Sequence, residues 1–292
     1  MNQSVRNLCC AMTALSLLTP AVSLAIDVDP RDYTALPEGA NLNVLYARQL
    51  SADDLNVDGQ AVTDDLDLDA TIGIYRFVHF TKVMDLTVDP QVLLPFGTQE
   101  IGLLDDSSSG MGDAIFAATV WLHEDPEKQS YFGITPYVIA PTGEYDADKP
   151  VNLGTNRWSY ILQAGYMTRL TEKLALDLVA DVQWYGTNSD PQSGDRLKQD
   201  EAYQVQAMLS YDLTPTTYPS LRYSWRKGDE THLDGVAMGN EVDSSTITVG
   251  INHWLLPGKL QLQAQYLRDL DVSQYGPELE AFQLRFLHLF GL

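Results

Sequence analysis

From Leu66 onwards the chain alternates, with Leu66, Leu68, Ala70, Ile72 and Ile74 on one parity and Asp67, Asp69, Thr71, Gly73 and Tyr75 on the other. A period of two is the mark of a β-strand with one apolar and one polar face. The pattern recurs with Met84, Leu86, Val88, Val92 and Leu94 against Asp85, Thr87, Asp89 and Gln91. It returns with Leu174, Leu176, Leu178, Ala180, Val182 and Trp184 against Asp177, Asp181, Gln183 and Tyr185. Leu260, Leu262, Ala264 and Tyr266 likewise face Gln261, Gln263 and Gln265. In all, the pattern predicts twelve strands, at 41–49, 66–76, 83–94, 112–122, 130–140, 157–170, 174–186, 202–212, 218–227, 245–255, 260–270 and 280–291. Most are close to the roughly nine to eleven residues with which a tilted strand crosses a bilayer.

The connections alternate between short and long. Thr171–Lys173, Thr214–Thr217 and Leu256–Lys259 are short; Ser51–Asp65, Pro95–Met111, Pro141–Asn156, Thr187–Glu201 and Gly228–Ser244 are long. A soluble β-sandwich has no reason to sort its loops by length in strict order. A single-chain outer-membrane barrel does, with short turns in the periplasm and long loops outside, and its strand number is even. The fold expected is therefore all-β: a transmembrane antiparallel up-and-down β-barrel of about twelve strands, both termini in the periplasm.

The N-terminus fits an exported protein. Arg6 precedes an apolar run, Leu8–Leu18, and Ser23-Leu24-Ala25 offers the small residues of a cleavage site, so residues 1–25 read as a signal peptide. The run is too short to span about 30 Å of hydrocarbon. The two cysteines, Cys9 and Cys10, leave with it, and the remaining chain has neither disulfide nor thiol chemistry. Without Arg6, 17 basic residues stand against 40 acidic ones, a net charge of −23 that excludes nucleic acid as a partner. Mean hydropathy is −0.16, and no run of about twenty apolar residues follows the signal, which excludes a helical membrane protein. Residues 26–39, polar and carrying Pro30 and Pro37, are expected to form a periplasmic tail, with a short plug entering the lumen as the alternative; residues 40–292 form the barrel.

Trp158, Tyr160, Tyr166, Trp184, Tyr223, Trp225 and Tyr266 mostly fall towards strand ends on the apolar parity, where amphipathic rings meet lipid headgroups. The last strand places Phe282, Leu284, Phe286, Phe290 and Leu292 on one parity and is similar to the C-terminal signal read by barrel assembly machinery, although the final residue is Leu292 rather than an aromatic.

Three segments carry a family resemblance: Gly110-Met111-Gly112-Asp113, the stretch Ile134–Tyr145 with Pro141-Thr142-Gly143, and Asn152–Trp158 with Asn156 and Trp158. Together they resemble the outer-membrane barrel family named for the meta-pathway of phenol degradation, over roughly Ala40–Leu292. The resemblance implies passage of aromatic compounds across the outer membrane and carries no catalytic or ligand residues over. The motif residues also have a structural explanation: Pro141 lacks an N–H and ends a ladder, and Gly143 permits a positive φ at the rim. Val92–Gly97 has the look of the same device two strands earlier.

Candidate chemistry is sparse. The five histidines show no Ser–His pair two residues apart; His232 lies among Asp229, Glu230 and Asp234, which leaves a rim hydrolase as a third reading. Glu144, Asp146 and Asp148 have the spacing that opens a calcium loop, but Lys149 stands where its glycine belongs, and neither a metal nor a cofactor is expected. Exposed acids are better explained by solubility or by divalent bridging to lipopolysaccharide. Function should lie in the lumen, which polar parities assign to Tyr75, Asp85, Asp89, Trp121, Tyr137, Asp177, Asp181, Tyr185, Arg222, Arg226 and Arg285, among others. These residues admit two compatible readings. One is a self-satisfying network of carboxylates and arginines that narrows the pore; the other is a pathway in which rings stack on an aromatic solute. The function expected is passive uptake of small organic solutes by a non-enzymatic barrel in the outer membrane of a Gram-negative bacterium. The alternative is a plugged structural or surface-interaction barrel.

Overall fold

The computed structural model describes residues 26–292, so the expected signal peptide lies outside the described residues. Twelve long strands follow one another: β1 Asn41–Ala52, β2 Leu68–His79, β3 Leu86–Ile101, β4 Ala114–Asp125, β5 Ser130–Ala140, β6 Ser159–Arg169, β7 Leu174–Tyr185, β8 Ala202–Tyr211, β9 Thr217–Gly228, β10 Val242–Leu256, β11 Leu260–Val272 and β12 Glu280–Phe290. Each pairs antiparallel with the next. β1 pairs with β12 from Asn41↔Phe290 to Ser51↔Glu280, which closes the cylinder and removes both sheet edges.

The wall reads as the sequence pattern requires. On β7, Ala175, Asp177, Val179 and Gln183 are shielded while Leu178 and Trp184 are exposed. Phe116, Tyr160, Leu162, Tyr223, Ile251, Leu262, Phe282 and Leu284 are also exposed on the outer wall. An apolar belt of this extent is a liability in water and the lipid-facing surface of a membrane barrel.

Two expectations fail in detail. On β2 the period holds but the faces are exchanged. Leu68, Ala70 and Ile72 point inward and pack with Leu50, Leu66, Ile101 and Tyr275, leaving Asp69, Thr71 and Tyr75 outside. This apolar cluster fills one side of the lumen towards the long loops, so the apolar parity is claimed by a core rather than by lipid. In β3 the chain does not stop at Pro95 but runs to Ile101. Pro95 sits where β3 changes partners, between β4 (paired to Leu93) and residues 106–111 (paired from Phe96), so its missing N–H costs no ladder bond on that side.

The long-loop end carries more structure: a three-stranded sheet from Leu197–Gln199, Thr231–Leu233 and Val236–Ala237, and another from Leu55–Val57, Gln60–Thr63 and Gly276–Pro277. At the other end β2 and β3 are joined by a hairpin whose turn is Met84–Asp85, both at positive φ. Residues 26–39 do not hang in the periplasm. They enter the cylinder at its short-turn end, where the Gly39 amide donates to Phe80 O, and pack inside it, with Val28 and Tyr33 each 5 % exposed.

Candidate functional site

The lumen is organised by this inserted segment, Asp27-Val28-Asp29-Pro30-Arg31-Asp32-Tyr33. Its three carboxylates meet arginines that the strands point inward. Asp32 bridges Arg76 on β2 (2.8 Å) and Arg285 on β12 (2.7 Å), and Asp29 lies 3.4 Å from Arg285. Asp27 pairs with Arg222 on β9 at 3.0 Å and with Arg48 on β1 at 3.6 Å. Arg222 also donates to Val28 O and Thr248. In return Arg31 sits over the Tyr218 ring, its guanidinium carbon 3.8 Å from the centroid, and reaches Asp212 at 2.7 Å, while its amide donates to Asp177. Burial would raise the Asp32 carboxyl, but the guanidinium groups of Arg285 and Arg76 more than offset it and hold the group below its ordinary value. Asp212, in the turn after β8, is lowered in the same way: hydrogen bonds from Arg169 and Arg31 outweigh its burial.

Tyr33 completes the dock. Its hydroxyl joins Thr135 and Gln163, both at 3.0 Å, and its ring meets Trp121 edge-on. On the other side the ring lies flat against β6 at Gly165, where a Cβ would collide with it. Gly165 is thus a glycine because a ring of the inserted segment occupies its side-chain space.

The residues expected in the lumen divide as follows. Asp89 accepts from the Thr119 amide and from Trp121 Nε1; Tyr137 donates to Gln163, and Asp181 accepts from it. Tyr185 stacks under Arg157 and accepts from Arg226, which also pairs with Asp229. Asp177, Arg222 and Arg285 grip the inserted segment. Tyr75 and Asp85 do not belong here. Tyr75 faces outward with β2 and bonds Asn43, and Asp85 is exposed in the β2–β3 turn, its strand having begun later than expected. The carboxylate–arginine network exists, but the inserted segment supplies many of its acids, and Asp27, Asp29, Arg31, Asp32 and Tyr33 were missed. The visible signal was three acids within six residues, facing a lumen rich in arginine.

The loop-motif residues bond to one another at the rim. Asp113 accepts from the Gly143 amide (2.9 Å) and the Thr155 amide (2.9 Å), clamping both ends of the β5–β6 loop to one carboxylate, and Thr142 accepts from the Ala114 amide. Pro141 follows the last residue of β5. Gly112 donates its amide to Pro95 O. Gly143 is not at positive φ; its role is close approach, since a Cβ would lie 2.7 Å from the Gly112 carbonyl carbon and 2.8 Å from Gly154. Asn156, at φ 53°, donates to Asn188, and Trp158 is exposed at the outer wall. Glu144–Asp148 is folded around the Asn152 side chain. His232 bonds Asp200 at 3.0 Å, and with Glu230 these form a group, exposed at Asp200 and half-buried at the other two, whose ligand atoms lie within 4.8 Å of one another.

Two cavities flank the inserted segment. The inner one, about 340 Å³, opens between it and the wall near the short-turn end and is lined by Trp121, Tyr131, Phe80, Leu287, Arg76 and Gln163 among others. The outer one, about 170 Å³, lies towards the long loops. Asp27 and Arg48 border both.

A closed twelve-stranded cylinder with an apolar outer belt and a polar, partly filled lumen defines a single-chain outer-membrane β-barrel. The sequence matches the family described as "Putative MetA-pathway of phenol degradation" over residues 52–286, and the chain belongs to that family. Among solved structures it is similar to the COG4313 outer membrane channel of Pseudomonas putida F1, with 36 % identity over 90 % of this chain and 100 % of that one and a TM-score of 0.85. It shares its fold with the NanC porin at 8 % identity, covering 84 % of this chain and 98 % of that one, with a TM-score of 0.50. No curated protein matches the sequence. The protein resides in the outer membrane of a Gram-negative bacterium, in contact with its lipids.

Proposed function

We propose that the barrel is a passive channel for small aromatic or hydrophobic organic molecules. The observation that carries this reading is the inner cavity of about 340 Å³, with rings and aliphatic side chains on one part of its wall and Arg76, Gln163 and Asp89 on another. Such a lining suits a solute with an apolar body and a polar substituent. The family's description supports the choice of aromatic compounds. No nucleotide loop is present in the sequence to power transport, so flux follows the gradient. The apolar parity of β12, Phe282 to Phe290, is the feature by which barrel assembly machinery would recognise the chain.

A second reading is favoured by the inserted segment itself. Ion pairs, a ring dock and backbone bonds hold it across the lumen, as a plugged structural barrel would require. Flux into liposomes separates the two. Phenol-like and benzoate-like solutes should enter faster than sugars of similar size and faster than into protein-free vesicles. Entry no faster than into empty vesicles, from a demonstrably folded barrel, would establish the plugged reading instead.

A further inference from the structure

The outer cavity has features that the general channel reading does not use. Its volume, about 170 Å³, is close to the roughly 150 Å³ of an engineered cavity that accepts benzene. Leu50, Leu267, Val272 and Ala281 give it apolar walls. Its ionised groups already have partners within the protein. Asp229 is paired with Arg226, and Asp27 with Arg222 and Arg48. Asp269 accepts from Thr246 Oγ1 at 2.6 Å and from the Leu279 amide at 2.9 Å. Two neutral polar groups on lining side chains lack a partner among the described residues. Tyr275 Oη is a buried donor without an acceptor, and Gln204 Oε1 is a buried acceptor without a donor, its amide nitrogen being given to Asp27.

A buried polar atom without a partner costs free energy that a complementary ligand atom recovers. A carboxylate is acceptor-only, so it answers Tyr275 Oη but not Gln204 Oε1 and enters without a countercharge, whereas a hydroxyl has both the acceptor that Tyr275 needs and the donor that Gln204 needs. We propose that the outer cavity is a binding subsite for a neutral single-ring molecule bearing a hydroxyl group, with Tyr275 Oη and Gln204 Oε1 as its hydrogen-bonding partners. Asp27 and Arg48 line both this cavity and the inner one. The subsite rests on the uptake reading for its purpose but not for its detection, because binding is measured without flux.

The test is a ¹⁹F NMR titration of the folded barrel in nanodiscs with 4-fluorophenol and, separately, 4-fluorobenzoate, read against the cavity-filling variant Ala281→Phe. Saturable binding of 4-fluorophenol is expected, lost in Ala281→Phe and weakened about two- to tenfold in Tyr275→Phe, the range for one neutral hydrogen bond. For 4-fluorobenzoate, affinity lower by on the order of tenfold is expected from the cost of an unpaired buried carboxylate. Equal or tighter binding of the benzoate, or an unchanged Tyr275→Phe affinity in a barrel with wild-type heat-modifiable migration, overturns the proposal. Binding without flux would overturn the uptake reading and leave the subsite standing; flux with no saturable binding would do the reverse.

Discussion

At the scale of single residues, the lumen is governed by which side chain owns a given space. Tyr33 occupies the room that a side chain at position 165 would need, so Gly165→Val should expel the ring while leaving every ion pair chemically intact. Single-channel conductance is expected to rise several-fold, and an unchanged conductance would mean that the ring dock does not hold the segment. Arg285 tests the electrostatic part. It is 3 % exposed and serves both Asp29 and Asp32, and deleting one partner of such a buried group costs about 3–5 kcal/mol. Arg285→Ala should therefore loosen the segment and make the Arg31–Asp32 bond cleavable by trypsin in the intact barrel. Much of this was legible beforehand. Asp89, Asp177 and Arg222 are polar residues on the polar parity of strands whose other face is apolar, which leaves them only the interior. Tyr75 misled because parity says that a strand has two faces, not which of them is wet. On β2 the apolar face is needed by the cluster around Leu68 and Tyr275.

At the scale of elements, the inserted segment behaves as a strap held by carboxylates, which gives it a defined pH range. Asp32 in the strap and Asp212 in the β8–β9 turn both have lowered values, through Arg285 and Arg76 and through Arg169 and Arg31 respectively. Their contribution to holding the strap is complete above the ordinary carboxylate value of about 4. It is lost only as the pH falls through the lower folded values. The part of the hold that these two carboxylates supply should accordingly persist from neutral pH down to about 4 and be lost only below it, so a rise in conductance below about 4 is expected, and Asp32→Asn should remove much of that step. An increase already complete at pH 6 would assign the strap's hold to other groups. The strap itself was hard to place from sequence. Residues 26–39 have no periodicity, and their pairing with arginines more than 190 positions away, as in Asp27–Arg222, follows from barrel closure rather than from any local pattern. The β3 extension past Pro95 was equally hidden, because a proline signals a lost N–H but not whether a partner strand had needed it.

At the scale of the whole molecule, the wall and its filling are separable. Twelve strands closed by β1 and β12 satisfy one another's backbone groups in lipid, with no help from the lumen. That much of the fold was readable, since strand length, loop alternation and even count all express the thickness and the two sides of a membrane. The filling obeys a different rule, charge balance across the cylinder. Removing residues 26–35 takes away three carboxylates and one guanidinium, a net loss of two negative charges, and leaves Arg48, Arg76, Arg222 and Arg285 without their strap partners. Released into a wider, hydrated lumen, these guanidinium groups are solvated rather than stranded, so the barrel should fold and migrate as before. Its pore should become larger and positively lined, since a narrow low-dielectric passage focuses the field of its fixed charges. The reversal potential in a potassium chloride gradient is then expected to shift towards chloride, with several-fold higher conductance. A larger pore with no shift in selectivity would mean that acidic residues of the wall, such as Asp89 and Asp181, turn to meet the arginines once the strap has gone.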